Sequence, residues 1–220
     1  MGVAVGIVAL LGPWFVLEPF FSWLVPLLPV SMNAKYSIVT IIIELVAILV
    51  IAAALAVYNK KFSDLGVRKP TWMHVGNAVV AFFIYIVVSL LLQMVVQWAF
   101  GQGYNANQPQ QLGYSGLNGA ELVAAFVPLV ILTPFAEEII FRGFVFKGVR
   151  RKAPFWVAAL AVSALFGLAH GQWNVGLDVF AMSMISCYLV EKSGSLWPSI
   201  FLHVIKNALA FSLVYIFRVG

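Results

Sequence analysis

Long apolar stretches alternate with short polar segments along the whole chain. About 20 apolar residues in a helix cross the hydrocarbon core of a bilayer, which is about 30 Å thick. We therefore predict an all-α fold, a polytopic transmembrane helical bundle of about seven membrane segments. The predicted segments cover residues 3–30, 36–58, 75–100, 121–147, 154–170, 173–190 and 197–217.

The composition excludes a soluble globular protein. Of the 220 residues, 63% are hydrophobic and only 10% are charged, and the mean hydropathy is +1.00. One soluble core cannot hide that much apolar surface, so we expect membrane lipid around a multi-pass protein of the cell membrane. Residues 1–30 lack the basic start of a signal peptide and are expected to be a retained membrane segment, with Glu18 at an interface. Residues 31–220 are expected to form one domain.

The basic residues predict the orientation of the bundle. Eight of the 13 Lys and Arg lie in two short loops, at 60–69 and 147–152. The positive-inside rule places both loops in the cytoplasm and the polar stretch 101–119, which has no Lys or Arg, outside. The N-terminus is then inside and the C-terminus outside. Although the net charge is +5, this clustering beside membrane segments indicates topology and not a nucleic-acid partner.

Ionisable side chains inside the apolar stretches are the candidate functional residues, because each costs about 2.5 to 3.5 kcal/mol near mid-bilayer. Glu138 and Arg142 are four residues apart and share one helix face, so we predict that they pair. Glu137 points about 100° away from Glu138 and is the better candidate for a reactive carboxylate. Pro134 cannot donate a hydrogen bond and should weaken the helix just before this pair. A purely structural glutamate pair is the alternative.

His170 is predicted to lie level with Glu137. The fourth and fifth segments should form a hairpin that turns near Ala153, with Glu137 16 residues before the turn and His170 17 residues after it. Both are then roughly 25 Å from the turn. An acid and an imidazole at one depth can share and activate a water molecule, which predicts hydrolytic chemistry.

His203 and Asn207 are four residues apart on the last segment and present an imidazole and an amide to the same space. As donors they suit the oxyanion that forms on a hydrolysed carbonyl. One glutamate and two histidines equally resemble a zinc site, with Glu137, His170 and His203 as ligands. The residues leave both mechanisms open: Zn²⁺ or another divalent metal, or no metal.

Three further polar features receive structural interpretations. Lys206 faces away from Asn207 and is predicted to pair with Asp178 in the sixth segment. Glu44 has no assignable partner. The Gly-x-Ser-Gly pattern at 113–116 resembles that of rhomboid serine proteases, but Ser115 lies in a polar loop before the apolar stretch, and we interpret it as a turn.

Three motifs together resemble the CAAX protease and bacteriocin-processing (CPBP, Abi-like) family. They are Glu-Glu-x-x-x-Arg at 137–142, Phe-x-x-x-His at 166–170 and His-x-x-x-Asn at 203–207. The resemblance covers about residues 62–209, with the family core at about 121–209, and implies an intramembrane endopeptidase. It implies that Glu137 and His170 activate water and that His203 and Asn207 stabilise the oxyanion, while Glu138, Arg142 and Phe166 support the geometry.

The resemblance also implies a peptide or protein substrate, prenylated or membrane-associated, that is cut near the cytoplasmic membrane face. The family is often described as metalloproteases, and a metal-free glutamate mechanism is also argued for it. Its eukaryotic members trim prenylated CAAX proteins, while many bacterial relatives look like bacteriocin-processing or self-immunity proteins. The alternative is therefore a non-catalytic membrane scaffold or bacteriocin self-immunity protein that keeps the polar cluster for helix packing.

Overall fold

The apolar stretches fold into helices, because in lipid each backbone polar group must find its partner within the chain. The computed structural model describes residues 19, 21, 23–101, 104, 108, 110 and 113–218. We number its main helices α1 to α6. They are α1 Met32–Val57, α2 Trp72–Phe100, α3 Gly119–Arg150, α4 Phe155–Leu168, α5 Trp173–Ser193 and α6 Trp197–Ile216.

The all-α fold class is confirmed, but the count of seven membrane segments is not reached. In the described part of the chain, five helices are long and apolar enough to cross a membrane, and α4 is too short. Its 14 residues cover about 21 Å. The predicted segment 3–30, with Glu18, lies mostly outside the described residues.

The helix α4 ends two residues before the predicted position, and His170 lies in the turn that follows. The next residue, Gly171, has a φ of 65°, a left-handed conformation that ends a helix and that glycine adopts without strain. This turn separates α4 from α5 and places His170 at a helix end instead of inside a helix.

The helix α3 is interrupted by two wider π-helical stretches, Val127–Leu132 and Ile139–Phe146. Between them lies a short α-helical segment, Thr133–Glu138, which contains Pro134 near its start. The weakened helix predicted around the proline is thus present. Local π-helical turns frequently occur at functional sites, since they rotate side chains out of the regular α-helical positions. Here they flank Glu137 and Glu138.

Two glycines let α4 and α5 approach each other closely. A Cβ atom on Gly167 would lie 2.7 Å from the carbonyl oxygen of Gly176, and one on Gly176 would lie 2.8 Å from that of Gly167. The helix α5 also packs against α6, both contact α2, and α1 packs along the first half of α3. The packed helices enclose a core that includes the buried second half of α3.

The two basic loops meet at one end of the bundle, as the charge pattern predicts. Lys147 donates through Nζ to the carbonyl of Leu65 at 2.6 Å. The backbone N–H of Leu196 donates to the carbonyl of Gly66 at 3.0 Å, which ties the first basic loop to the turn between α5 and α6. That this end faces the cytoplasm stays a prediction.

The opposite end is closed by polar contacts between α1 and the segment before α3. The Asn33 amide donates to the carbonyl of Ser115 at 2.8 Å and accepts from its N–H at 3.1 Å. The Ser31 hydroxyl donates to Glu121. Ser115 therefore lies exposed in the segment before α3, where its backbone contributes to loop structure, in keeping with a structural interpretation.

Candidate active site

A buried ion pair forms the centre of the polar cluster. Arg142 Nη1 lies 3.0 Å from Glu138 Oε1, and neither side chain has any exposed surface. The predicted pairing of these two residues is confirmed. The guanidinium also lies over the ring of Phe166, with its central carbon 4.5 Å from the ring centroid, a cation–π contact that is favourable when desolvated.

His203 contacts both glutamates. Its Nδ1 lies 3.1 Å from Glu138 Oε1, and its Nε2 lies 3.7 Å from Glu137 Oε2. Glu138 is fully buried, whereas Glu137 keeps 20% of its side-chain surface exposed. The two adjacent acids thus occupy different environments: Glu138 is enclosed and paired, and Glu137 is open to a small molecule such as water.

Phe166 connects the two histidines. Its ring centroid is 4.9 Å from that of His170 and 5.9 Å from that of His203. The side chain of His170 is turned back over the end of α4, with Nδ1 2.8 Å from the carbonyl oxygen of Phe166. Because a carbonyl can only accept, Nδ1 carries the hydrogen, and a neutral His170 leaves Nε2 free to accept a proton.

Asn207 holds the last helix against the first half of α3. Its Nδ2 donates to the carbonyl of Leu129 at 2.9 Å, which lies within the π-helical stretch Val127–Leu132. The amide has two N–H donors, so one remains for a ligand. Asn207 is partly exposed, one turn along α6 from His203.

The three predicted metal ligands do not form a metal site in this arrangement. Both nitrogens of His203 face glutamates, and Nδ1 of His170 faces a carbonyl. Among the residues that the structure describes, no three His, Cys, Asp or Glu side chains are grouped so that they could hold a metal ion. Whether the reaction uses a divalent metal or none stays open between the two predicted mechanisms.

Lys206 and Asp178 lie beside the cluster and form the predicted pair, with Lys206 Nζ 3.5 Å from Asp178 Oδ2. Sequence reasoning did not find the other partners of Asp178. Tyr85 and Ser89, one turn apart on α2, both donate to its Oδ1 at 2.6 Å. Three helices thus meet at one carboxylate.

Glu44 also has a partner that the sequence did not reveal. Thr133 donates through its hydroxyl to Glu44 Oε1 at 2.9 Å. Glu44 and Thr133 lie 12 and 14 residues from the starts of α1 and α3, and both helices start at the same end, so matching depth is the signal that could have found this pair. Glu44 is close enough to act electrostatically on Glu137, as are Glu138, Arg142 and Lys206.

Residues 119–209, which contain the three motifs, match the model of a family described as Type II CAAX prenyl endopeptidase Rce1-like. This match and the three motifs support the CAAX protease family for that segment. The resemblance inferred from the motifs is thereby confirmed for the segment that contains Glu137, His170 and His203. Residues 31–118, including Glu44, lie outside the matched segment.

Two proteins of Bacillus subtilis (strain 168) are similar to this chain. The one named "Putative membrane peptidase YdiL" is 27% identical over 177 residues, which cover 78% of this chain and 68% of the relative. The other, "Uncharacterized protein YyaK", is 24% identical over 152 residues, 63% of this chain and 47% of the relative. No solved structure matches the chain.

Proposed function

We propose that the protein is an intramembrane endopeptidase that hydrolyses a peptide bond near the cytoplasmic membrane face with a water activated by Glu137. The observation that carries the proposal is the position of His203 between an enclosed glutamate and an open one, 3.1 Å from Glu138 and 3.7 Å from Glu137. A buried acid that orients an imidazole, beside a second acid that water can reach, is an arrangement suited to acid–base chemistry.

Glu137 is the proposed general base. Its carboxylate takes a proton from a water molecule, and the hydroxide adds to the carbonyl carbon of the peptide. When the C–N bond breaks, the same carboxyl group returns the proton to the leaving amine. His170, with Nε2 free, accepts a second hydrogen bond from the water and so fixes its direction.

His203 and Asn207 are the proposed oxyanion donors. Asn207 has one N–H that is not used by Leu129. His203 donates through Nδ1 to Glu138, so it can donate through Nε2 as well only when both ring nitrogens are protonated. Glu138, which accepts from Nδ1, favours that charged form and offsets part of the cost of burying it. The imidazolium would then offer charge-assisted stabilisation to the oxyanion.

Glu138, Arg142 and Phe166 are proposed to position the site without touching the substrate. Arg142 holds the carboxylate of Glu138, which in turn holds His203. Phe166 separates the two histidines and covers the guanidinium. The substrate is proposed to be a membrane-associated peptide or protein, with prenylated chains as one class to be screened.

The test is cleavage of a quenched fluorescent peptide library, with and without a prenyl group, by the purified chain in detergent or liposomes. We expect Glu137→Gln to lower kcat by about 100- to 10,000-fold, the range for a removed general base. The matched control is Glu121→Gln, the same substitution on the same helix at its far end, where the carboxylate binds Ser31. It should leave kcat unchanged.

A second pair of variants separates the histidines. His170→Gln should reduce activity, whereas His74→Gln should not, because His74 lies at the start of α2, where its Nδ1 accepts from the Thr71 N–H. Full activity in Glu137→Gln or His170→Gln would exclude the proposed mechanism. It would favour the non-catalytic scaffold, in which the same contacts only hold helices together.

A further inference from the structure

A small cavity opens at the basic end of the bundle, away from the candidate active site. It has a volume of about 190 Å³ and lies between the end of α1, the loop that follows it and the last turns of α3. Its floor is apolar and includes Leu55, Leu65 and Phe144, all buried. Pockets for drug-sized ligands usually measure about 300–1,000 Å³, so this cavity suits a smaller group.

Cations surround the cavity. Lys60, Lys147 and Arg151 line it together with one acid, Asp64. The carboxylate of Asp64 already accepts a hydrogen bond from the backbone N–H of Lys61 at 2.9 Å. Three positive charges therefore face one negative charge that is engaged elsewhere.

Lys147 is fixed at the edge of this cavity. Its ammonium donates to the Leu65 carbonyl at 2.6 Å, which leaves two of its three N–H donors for a ligand. The charges that act on Lys147 are mainly like charges, from Arg68 and Arg151, with Asp64 as the opposing charge. Among the described residues, the ion pair at this end of the bundle joins Arg150 and Glu191. None of the three lining cations takes part in it, so their charges are not neutralised by an ion pair.

We propose that this cavity binds the phosphate of an anionic phospholipid headgroup from the membrane leaflet at the basic end. A phosphate group supplies acceptors for Lys147 and Arg151 and compensates their charge. The position favours a lipid over a soluble phosphate, because Leu55 and Phe144 belong to helices that cross the membrane, which puts the cavity where the apolar region meets the basic loops. Basic pockets at the cytoplasmic ends of membrane helices are suited to such headgroups, and the positive-inside rule predicts that this end is cytoplasmic.

The experiment is lipid binding to the purified full chain, measured by native mass spectrometry after exchange into micelles with phosphatidylglycerol or phosphatidylcholine. We expect retention of phosphatidylglycerol over phosphatidylcholine. Lys147→Gln and Arg151→Gln should each weaken phosphatidylglycerol binding about five-fold, and the double variant about twenty-fold. Arg151 is exposed, so its substitution tests the site without disturbing the fold.

The matched control is Lys152→Gln, the same loss of charge one residue further along, outside the cavity lining. It should change the affinity less than two-fold. An equal loss in Lys152→Gln, or unchanged binding in Arg151→Gln, would overturn the site. Competition with inorganic phosphate distinguishes a lipid headgroup from a free phosphate ion. Displacement of phosphatidylglycerol by an equal concentration of phosphate would overturn the lipid assignment. Retention of the lipid would support it.

Discussion

Glu138 and Arg142 form an ion pair of 3.0 Å in which neither side chain exposes any surface. The same oxygen of Glu138 also lies 3.1 Å from His203 Nδ1. One carboxylate oxygen of Glu138 therefore links the ion pair within α3 to His203 on α6. Removal of either charge leaves the other buried without its partner, which is much more costly than loss of a surface pair.

For Arg142→Met we accordingly expect a loss of about 3 to 5 kcal/mol in the free energy of unfolding. The measurement is thermal or denaturant unfolding of the purified chain in detergent. The control is Arg150→Met, which breaks the exposed pair with Glu191 and should cost less than about 1 kcal/mol. Equal costs for the two variants would contradict the role assigned to burial.

Asn207→Ala separates a catalytic contribution from a structural one. The lost hydrogen bond to Leu129 should cost about 1 kcal/mol of stability, whereas loss of an oxyanion donor should lower kcat by about 100- to 1,000-fold, equivalent to about 2.7 to 4 kcal/mol. Peptide-cleavage kinetics and the unfolding midpoint are measured on the same sample. If the loss in kcat is no larger than the loss of folded protein that the lower stability causes, Asn207 is not part of the proposed oxyanion site.

Gly167→Ala tests the contact between α4 and α5. The added Cβ would lie 2.7 Å from a backbone oxygen of Gly176, so the helices must move apart, with a cost of about 1 to 3 kcal/mol. Gly76→Ala is the control, since a Cβ at Gly76 in α2 meets nothing within 4 Å and alanine is the better helix former. Thermal unfolding should show a lower midpoint for Gly167→Ala and an unchanged or higher midpoint for Gly76→Ala.

Chelation tests the two mechanisms that the sequence leaves open. Because the described histidines and acids do not group into a metal site, we expect peptidase activity to persist after treatment with EDTA and dialysis. Elemental analysis should find well below one equivalent of zinc per chain. Loss of activity that Zn²⁺ restores, with one equivalent bound, would instead assign Glu137, His170 and His203 to a metal.

Spacing along a single helix allowed the sequence to predict some contacts and not others. The Glu138–Arg142 pair follows from a separation of four residues, which fixes both side chains on one helix face. The Lys206–Asp178 pair follows from matching depth in two helices. The contact of Asn207 with Leu129 could not be predicted, since it depends on a carbonyl inside a π-helical stretch. The double contact of His203 depends on how α6 is rotated against α3, which the sequence pattern does not specify.

The short helix α4 has a consequence for the lipid around it. Its 14 residues extend about 21 Å, while the hydrocarbon core measures about 30 Å. A hydrophobic mismatch of that size is relieved when acyl chains bend inward and the bilayer thins beside the helix. We therefore expect the headgroups opposite the basic loops to lie closer to the His170 end of α4 than to the ends of the longer helices.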